Sequence, residues 1–161
     1  MDALPYLKRA AGLPTEDPAS FRGKVSMNLI TNVTDEVLGK LLIGLCLDAG
    51  LYPDLYSVPY RQYPIELKDP ASGLMAHPAD ISFVLFDINV HTDAALLQDE
   101  THLDETLNDL EHWCASHDKM VVLTTVPTPY RNAYGNLFDK DPAFALVARC
   151  NERLAQIADT L

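Results

Sequence analysis

The sequence predicts an α/β domain of three layers, α/β/α, built on a parallel sheet of order 2-1-3-4. Three observations lead there. Short apolar runs alternate along the chain with segments of helical period. The runs Ile81–Ile88 (ISFVLFDI) and Met120–Thr124 (MVVLT) alternate too little for half-exposed strands, so both are read as covered on two faces. The resulting order, β-α-β-loop-β-α-β-loop-α, calls for right-handed crossovers between parallel strands. A flavodoxin-like arrangement of this kind expects its ligands beyond the carboxyl ends of strands 1 and 3.

Each element has its own signal. Residues 1–23 are read as a short helix, Pro5–Ala11, and a linker punctuated by Pro14, Pro18 and Gly23, ahead of the α/β domain over 24–161. Lys24–Ile30 is the first strand and ends at Thr31-Asn32. Thr34 is the expected N-cap of a helix with Asp35 and Glu36 in its first turn. Val37, Leu38, Leu41, Leu42, Leu45 and Cys46 form its apolar stripe, and Gly50 closes it. Leu51–Pro59 is the second strand. Tyr60–Ala76 has no clear period and is read as a long loop with room for one helical turn, a feature that tends to be functional in compact domains. After the third strand, Leu103, Leu107, Leu110 and Cys114 mark a helix within 94–116. Met120–Thr124 is the fourth strand, and Val126–Asn136 a loop rich in Pro, Tyr and Asn. Val147, Cys150, Leu154, Ile157 and Leu161 mark the final helix. No strand follows it, so the sheet is expected to be truncated before its last strand.

Charge narrows the partners. Twelve Lys+Arg stand against 23 Asp+Glu, a net charge of −11. No broad cationic footprint is available for nucleic acid or for an anionic membrane. No apolar run reaches the ~18–20 residues of a membrane span, and the amino terminus lacks the pattern of a secretory signal. Cys46, Cys114 and Cys150 are isolated and odd in number. They read as buried reduced thiols, which predicts a cytoplasmic protein.

The candidate chemistry lies on the carboxyl edge of the sheet. Phosphate binding after strand 1 is disfavoured, because the loop lacks glycines and carries Asp35 and Glu36 where an anion would sit. Acyl hydrolysis is a second option: Thr31 as the hydroxyl nucleophile, Asn32 and Asn89 as oxyanion donors, His91 as base. The bland alternative is that Thr31 and Asn32 only end a strand and His91 faces solvent. Of His77, His91, His102, His112 and His117, only His102 and His112 share a helical face with an acidic neighbour, Asp99 and Asp109. Both pairs read as a solvated acidic face, so no metal site and no cofactor are expected. Tyr60, Arg61 and Gln62, with Ser72, Arg131 and Asn136, are candidate substrate-binding residues. Arg61, flanked by aromatic rings, suits a phosphate, a carboxylate or a pantetheine arm, or else pairs with one of the many carboxylates.

A family resemblance rests on four groups of residues. Leu29-Ile30-Thr31-Asn32-Val33-Thr34, Pro59-Tyr60-Arg61-Gln62-Tyr63, Asp69-Pro70-Ala71-Ser72-Gly73-Leu74 and Pro78-Ala79-Asp80 are joined by a strand ending in Asp87 and a late Gly135-Asn136. Together they resemble the amino-terminal, SGNH-hydrolase-like domain of FkbH-like proteins over residues 24–155. The resemblance implies a partner domain of the haloacid-dehalogenase type, a phosphatase with an Asp nucleophile and Mg²⁺. It also implies transfer of a glyceryl unit from a bisphosphoglycerate to the thiol of an acyl carrier protein in polyketide biosynthesis. Two departures stand out. Thr31 takes the place of the Ser common in the family, and the Asp-x-x-His block of true SGNH hydrolases would fall after residue 161. Asn89 is the nearest match to their oxyanion Asn.

Three readings follow from the sequence. One is an accessory acyl- or glyceryl-handling domain, weakly active or inactive alone, with an acyl carrier protein or a phosphatase domain as partner. Another is a stand-alone esterase or thioesterase using Thr31. The third is a non-catalytic interaction domain. An apolar edge on Met120–Thr124 further predicts a homo-oligomer or a partner covering it.

Overall fold

The computed structural model describes residues 3–32, 35–86, 100–126 and 142–160. Its elements are α1 (Leu4–Ala11), β1 (Gly23–Thr31), α2 (Glu36–Asp48), β2 (Leu51–Ser57), α3 (Tyr63–Glu66), α4 (Gly73–Ala76), β3 (Ile81–Leu85), α5 (Glu100–Ala115), β4 (Met120–Leu123) and α6 (Pro142–Asp159). The four strands form one parallel sheet of order β2-β1-β3-β4, the order and fold class that the apolar pattern predicts. Contacts divide the chain into two units, Met1–Val84 with Lys119–Val122, and Leu85–Asp118 with Leu123–Leu161.

In the first unit β1 is the central element, and Met27 to Thr31 are all buried. It pairs in parallel with β2, Ser26 opposite Asp54 and Asn28 opposite Tyr56. Side chains alternate across a strand, so Met27, Leu29 and Leu55 share one face and Asn28 and Tyr56 the other. The helix α2 covers the first face: Cys46 Sγ lies 3.7 Å from Met27 Sδ, and the backbone at Gly39 comes close to Leu55. The crossover from β2 to β3 covers the second. Within this unit the layers are therefore helix, sheet and helical crossover.

The expected stripe of α2 is only partly inward. Val37 is 61% and Leu45 41% exposed, whereas Gly39, Gly44 and Leu47 are the buried residues of the helix. The reason is a second neighbour. α1 packs on α2, and at Gly44 a Cβ would meet the backbone of Tyr6, with the carbonyl carbon at 2.7 Å. The amino-terminal segment is thus docked by a glycine, and the Arg22 N–H donates to the Gly50 carbonyl at 3.0 Å. Gly50, at φ +72°, closes α2 in the left-handed region as expected.

The second unit contains α5 and α6. The predicted stripes are buried in both: Leu103, Leu107, Leu110 and Cys114 in one, Val147, Cys150, Leu154 and Ile157 in the other. Arg149 pairs with Asp104 at 3.2 Å, and Arg153 with Glu111. Burial pushes the Cys114 thiol up to about 12 and the Cys150 thiol up to about 11. Both are therefore protonated and poorly nucleophilic at neutral pH. The N-cap of α2 is Asp35, one residue later than the expected Thr34, which leaves Glu36 alone as the acidic residue of the first turn. Thr34, Leu161 and the stretch 94–99 lie outside the described residues. Among the described residues no helix is long and apolar enough to cross a membrane.

Candidate functional site

The crossover between β2 and β3 is where structure adds most to the sequence reading. In place of one long loop it forms two short helices, α3 and α4, locked by a chain of polar contacts. Glu66 is the hub. Its Oε2 accepts from the Tyr56 hydroxyl at 3.0 Å and from the Leu74 N–H at 2.9 Å. Burial, and secondarily this bond to Glu66, hold the Tyr56 phenol above its ordinary pKa.

The Asp-Pro-Ala-Ser-Gly-Leu stretch is explained by the same lock. Asp69 turns the chain, accepting the Ala71 N–H at its side chain and the Ser72 N–H at its carbonyl, both at 2.9 Å. Ser72 caps α4, its Oγ accepting from the Met75 N–H at 3.2 Å and donating to the Glu66 carbonyl at 2.9 Å. Gly73 lies against the Tyr56 ring, where a Cβ would come within 2.7 Å of Cε2. Leu74 is fully buried. Ser72, a candidate substrate-binding residue, uses its hydroxyl to cap α4 and so serves the fold of the crossover.

A buried polar cluster under the crossover had no signal in the sequence. His77 Nδ1 is 2.8 Å from Asn28 Oδ1, which makes that nitrogen the donor. The Asn28 amide donates to Ser82 Oγ at 3.4 Å, and both Asn28 and Ser82 are wholly buried. His77 stacks on Tyr56 with ring centroids 5.8 Å apart. Its Nε2 stands 3.5 Å from Asp54 Oδ1, an ion-pair approach too long for a well-directed hydrogen bond. The Lys24 ammonium, 2.7 Å from Asp54, holds that carboxyl below its usual range, with His77 a lesser cause. This stabilisation is present above the ordinary carboxylate range and is lost as the pH falls through the lowered value. Exposure of the Asp54 side chain keeps it small. The residues come together from positions 28, 54, 77 and 82, and no local pattern links them.

The predicted site residues separate into two described groups. Thr31 and Asn32 end β1 at the carboxyl edge, and both are buried, at 1% and 5% exposure. Strand alternation puts Thr31 on the face of Met27 and Leu29, the side that α2 covers. The second group is the turn after β2. The Val58 N–H still pairs with the Leu29 carbonyl at 2.9 Å, so the chain leaves the sheet at that same edge. The Gln62 N–H then donates to the Pro59 carbonyl at 2.9 Å. Tyr60, Arg61 and Gln62 are exposed. Arg61 has φ +62°, a left-handed conformation that costs a non-glycine residue roughly 1–2 kcal/mol. Its guanidinium lies over the Tyr60 ring, 5.1 Å from the centroid. Asn89, His91, Arg131 and Asn136 lie outside the described residues. Among the described residues no group of three or more His, Cys, Asp or Glu side chains is placed to hold a metal ion.

The architecture has a solved counterpart. It is the N-terminal part of the protein BF1531 from Bacteroides fragilis, containing a phosphatase domain and complexed with Mg. The two superpose with a TM-score of 0.75 at 16% sequence identity, over 96% of this chain and 42% of that one. The fold is shared. The chain spans less than half the length of that protein. No protein-family model matches the sequence, and no curated protein matches it.

Proposed function

We propose that this chain is an accessory acyl- or glyceryl-handling domain that works beside a phosphatase-type domain and holds its ligand at the carboxyl edge of β1 and β2. The observation that carries this reading is the likeness of nearly the whole chain to the N-terminal part of a longer protein that contains a phosphatase domain. The resemblance of its motifs to FkbH-like proteins supports the same assignment and supplies the finer version. In that version a glyceryl unit is passed to the phosphopantetheine thiol of an acyl carrier protein, in the cytoplasm. Thr31 and Asn32 shape the end of β1, and the Tyr60–Gln62 turn supplies the cation and the aromatic surface.

The competing reading is an SGNH-like esterase with Thr31 as nucleophile, which its place at the end of β1 favours. Burial of the side chain speaks against it, since a nucleophile must reach its substrate. The purified protein is expected to show at most trace hydrolysis of short acyl thioesters and p-nitrophenyl esters, unchanged by Thr31→Ala. Losing a true nucleophile would cost orders of magnitude in rate. Robust turnover abolished by Thr31→Ala would establish the esterase instead.

A further inference from the structure

We infer that His77 is a pH-sensitive latch: gaining a proton closes the crossover between β2 and β3 onto the sheet, and losing it loosens that contact. The inference is independent of the ligand proposed above.

Both ring nitrogens of His77 face oxygen. Nδ1 lies 2.8 Å from Asn28 Oδ1, and Nε2 lies 3.5 Å from Asp54 Oδ1. A neutral imidazole carries a single N–H, and the contact with Asn28 takes it. Nε2 is then a bare lone pair, with under 1 Å² of exposed surface and no hydrogen-bond partner. It stands against a carboxylate, so two acceptors face each other across the gap. The imidazolium has a proton for each oxygen, and with it the gap closes to a charge-assisted bond.

The place of His77 extends that bond to the whole crossover. His77 ends α4, while Asn28 and Asp54 belong to β1 and β2. Its ring stacks on Tyr56, which holds Glu66 and, through it, the Leu74 N–H. The other titratable groups around it are Lys24 on β1, Asp54 and Tyr56 on β2, Glu66 in the crossover and Asp80 ahead of β3. Glu66 and Asp80 are committed as acceptors, Asp80 to the Ser26 N–H at 3.0 Å. Lys24 and Asp54 pair at 2.7 Å, which holds the ammonium above and the carboxyl below its ordinary range. Burial holds the Tyr56 phenol above its own. Lys24, Asp54 and Tyr56 therefore keep their charge states between about pH 5 and 8, the window in which a histidine changes its own.

The test is amide hydrogen exchange over residues 63–76, read as protection factors at about pH 5.5 and about pH 8. Wild type is compared with Asp54→Asn and His77→Gln, and nitrogen NMR follows the protons on the His77 ring. In wild type, protection is expected to be about three- to tenfold higher at the lower pH, a modest gain because the Asp54 side chain is 41% exposed. Asp54→Asn offers an amide N–H to the neutral ring, so the gain should vanish or reverse. His77→Gln has no proton to gain there and should show none. The ring spectra should show Nδ1 protonated at both pH values and Nε2 gaining its proton on acidification. Equal protection of wild type at both pH values, a gain kept in Asp54→Asn, or a neutral ring protonated at Nε2 would overturn the latch.

Discussion

Gly44→Ala is expected to destabilise the protein by about 2–4 kcal/mol, the range of an overpacked helix contact that cannot relax. Taken alone, α2 would favour the change, since Ala exceeds Gly by about 1 kcal/mol in a helix interior. The sign reverses because of what stands opposite. The new methyl group would overlap the Tyr6 carbonyl, and the carbonyl carbon and Cα follow at 2.7 and 2.8 Å. Backbone cannot swing aside as a side-chain tip can, so α1 must lift off α2. Urea unfolding should therefore show a lower midpoint, and protease should cut within residues 4–11 of the variant before it cuts wild type. A variant more stable than wild type would mean that α1 does not rest on α2 as described.

Gly73→Ala is expected to cost a similar amount, about 2–4 kcal/mol, through a different route. Gly73 opens α4, and the atoms nearest an added side chain there belong to Tyr56. That ring is not free to move. Its hydroxyl is bonded to Glu66, and its face stacks on His77. Displacing it breaks the Glu66 hub that also holds the Leu74 N–H. A double-mutant cycle separates this contact from any general intolerance. In a Tyr56→Leu background the further change Gly73→Ala should cost well under 1 kcal/mol. Equal costs in both backgrounds would show that the ring is not the obstacle.

These two glycines mark where sequence reading stops. The strand order was legible in the succession of apolar runs, but the expected cover on two faces was not met: β3 buries alternate residues, Ser82 and Val84, and no residue of β4 is fully buried, with Met120 62% exposed. Helices with a single stripe were legible, because burial on one face leaves a period in the chain. The buried lines of α5 and α6 fall on the residues that the spacing selects, from Leu103 to Cys114 and from Val147 to Ile157. A helix with two neighbours leaves no such line. In α2 the points of closest approach are Gly39 and Gly44, which read as weak helix formers, while Val37 and Leu45 look like core and stay exposed.

The candidate site was legible only as an edge. Thr31-Asn32 and Tyr60–Gln62 were placed on it by topology alone. That Ser72 is a helix cap follows from contacts with Glu66 and Met75 that spacing does not fix. The Asn28–His77–Asp54 cluster could not be read at all, because its members meet only once the crossover has folded onto the sheet.

The central claim is that this domain holds an acyl group without hydrolysing it. The lifetime of an acyl thioester on a carrier protein, followed by intact-protein mass spectrometry with and without the chain in excess, tests that most directly. The account predicts a lifetime unchanged or lengthened when the chain is present. Rapid release of the acyl group that depends on Thr31 would contradict it.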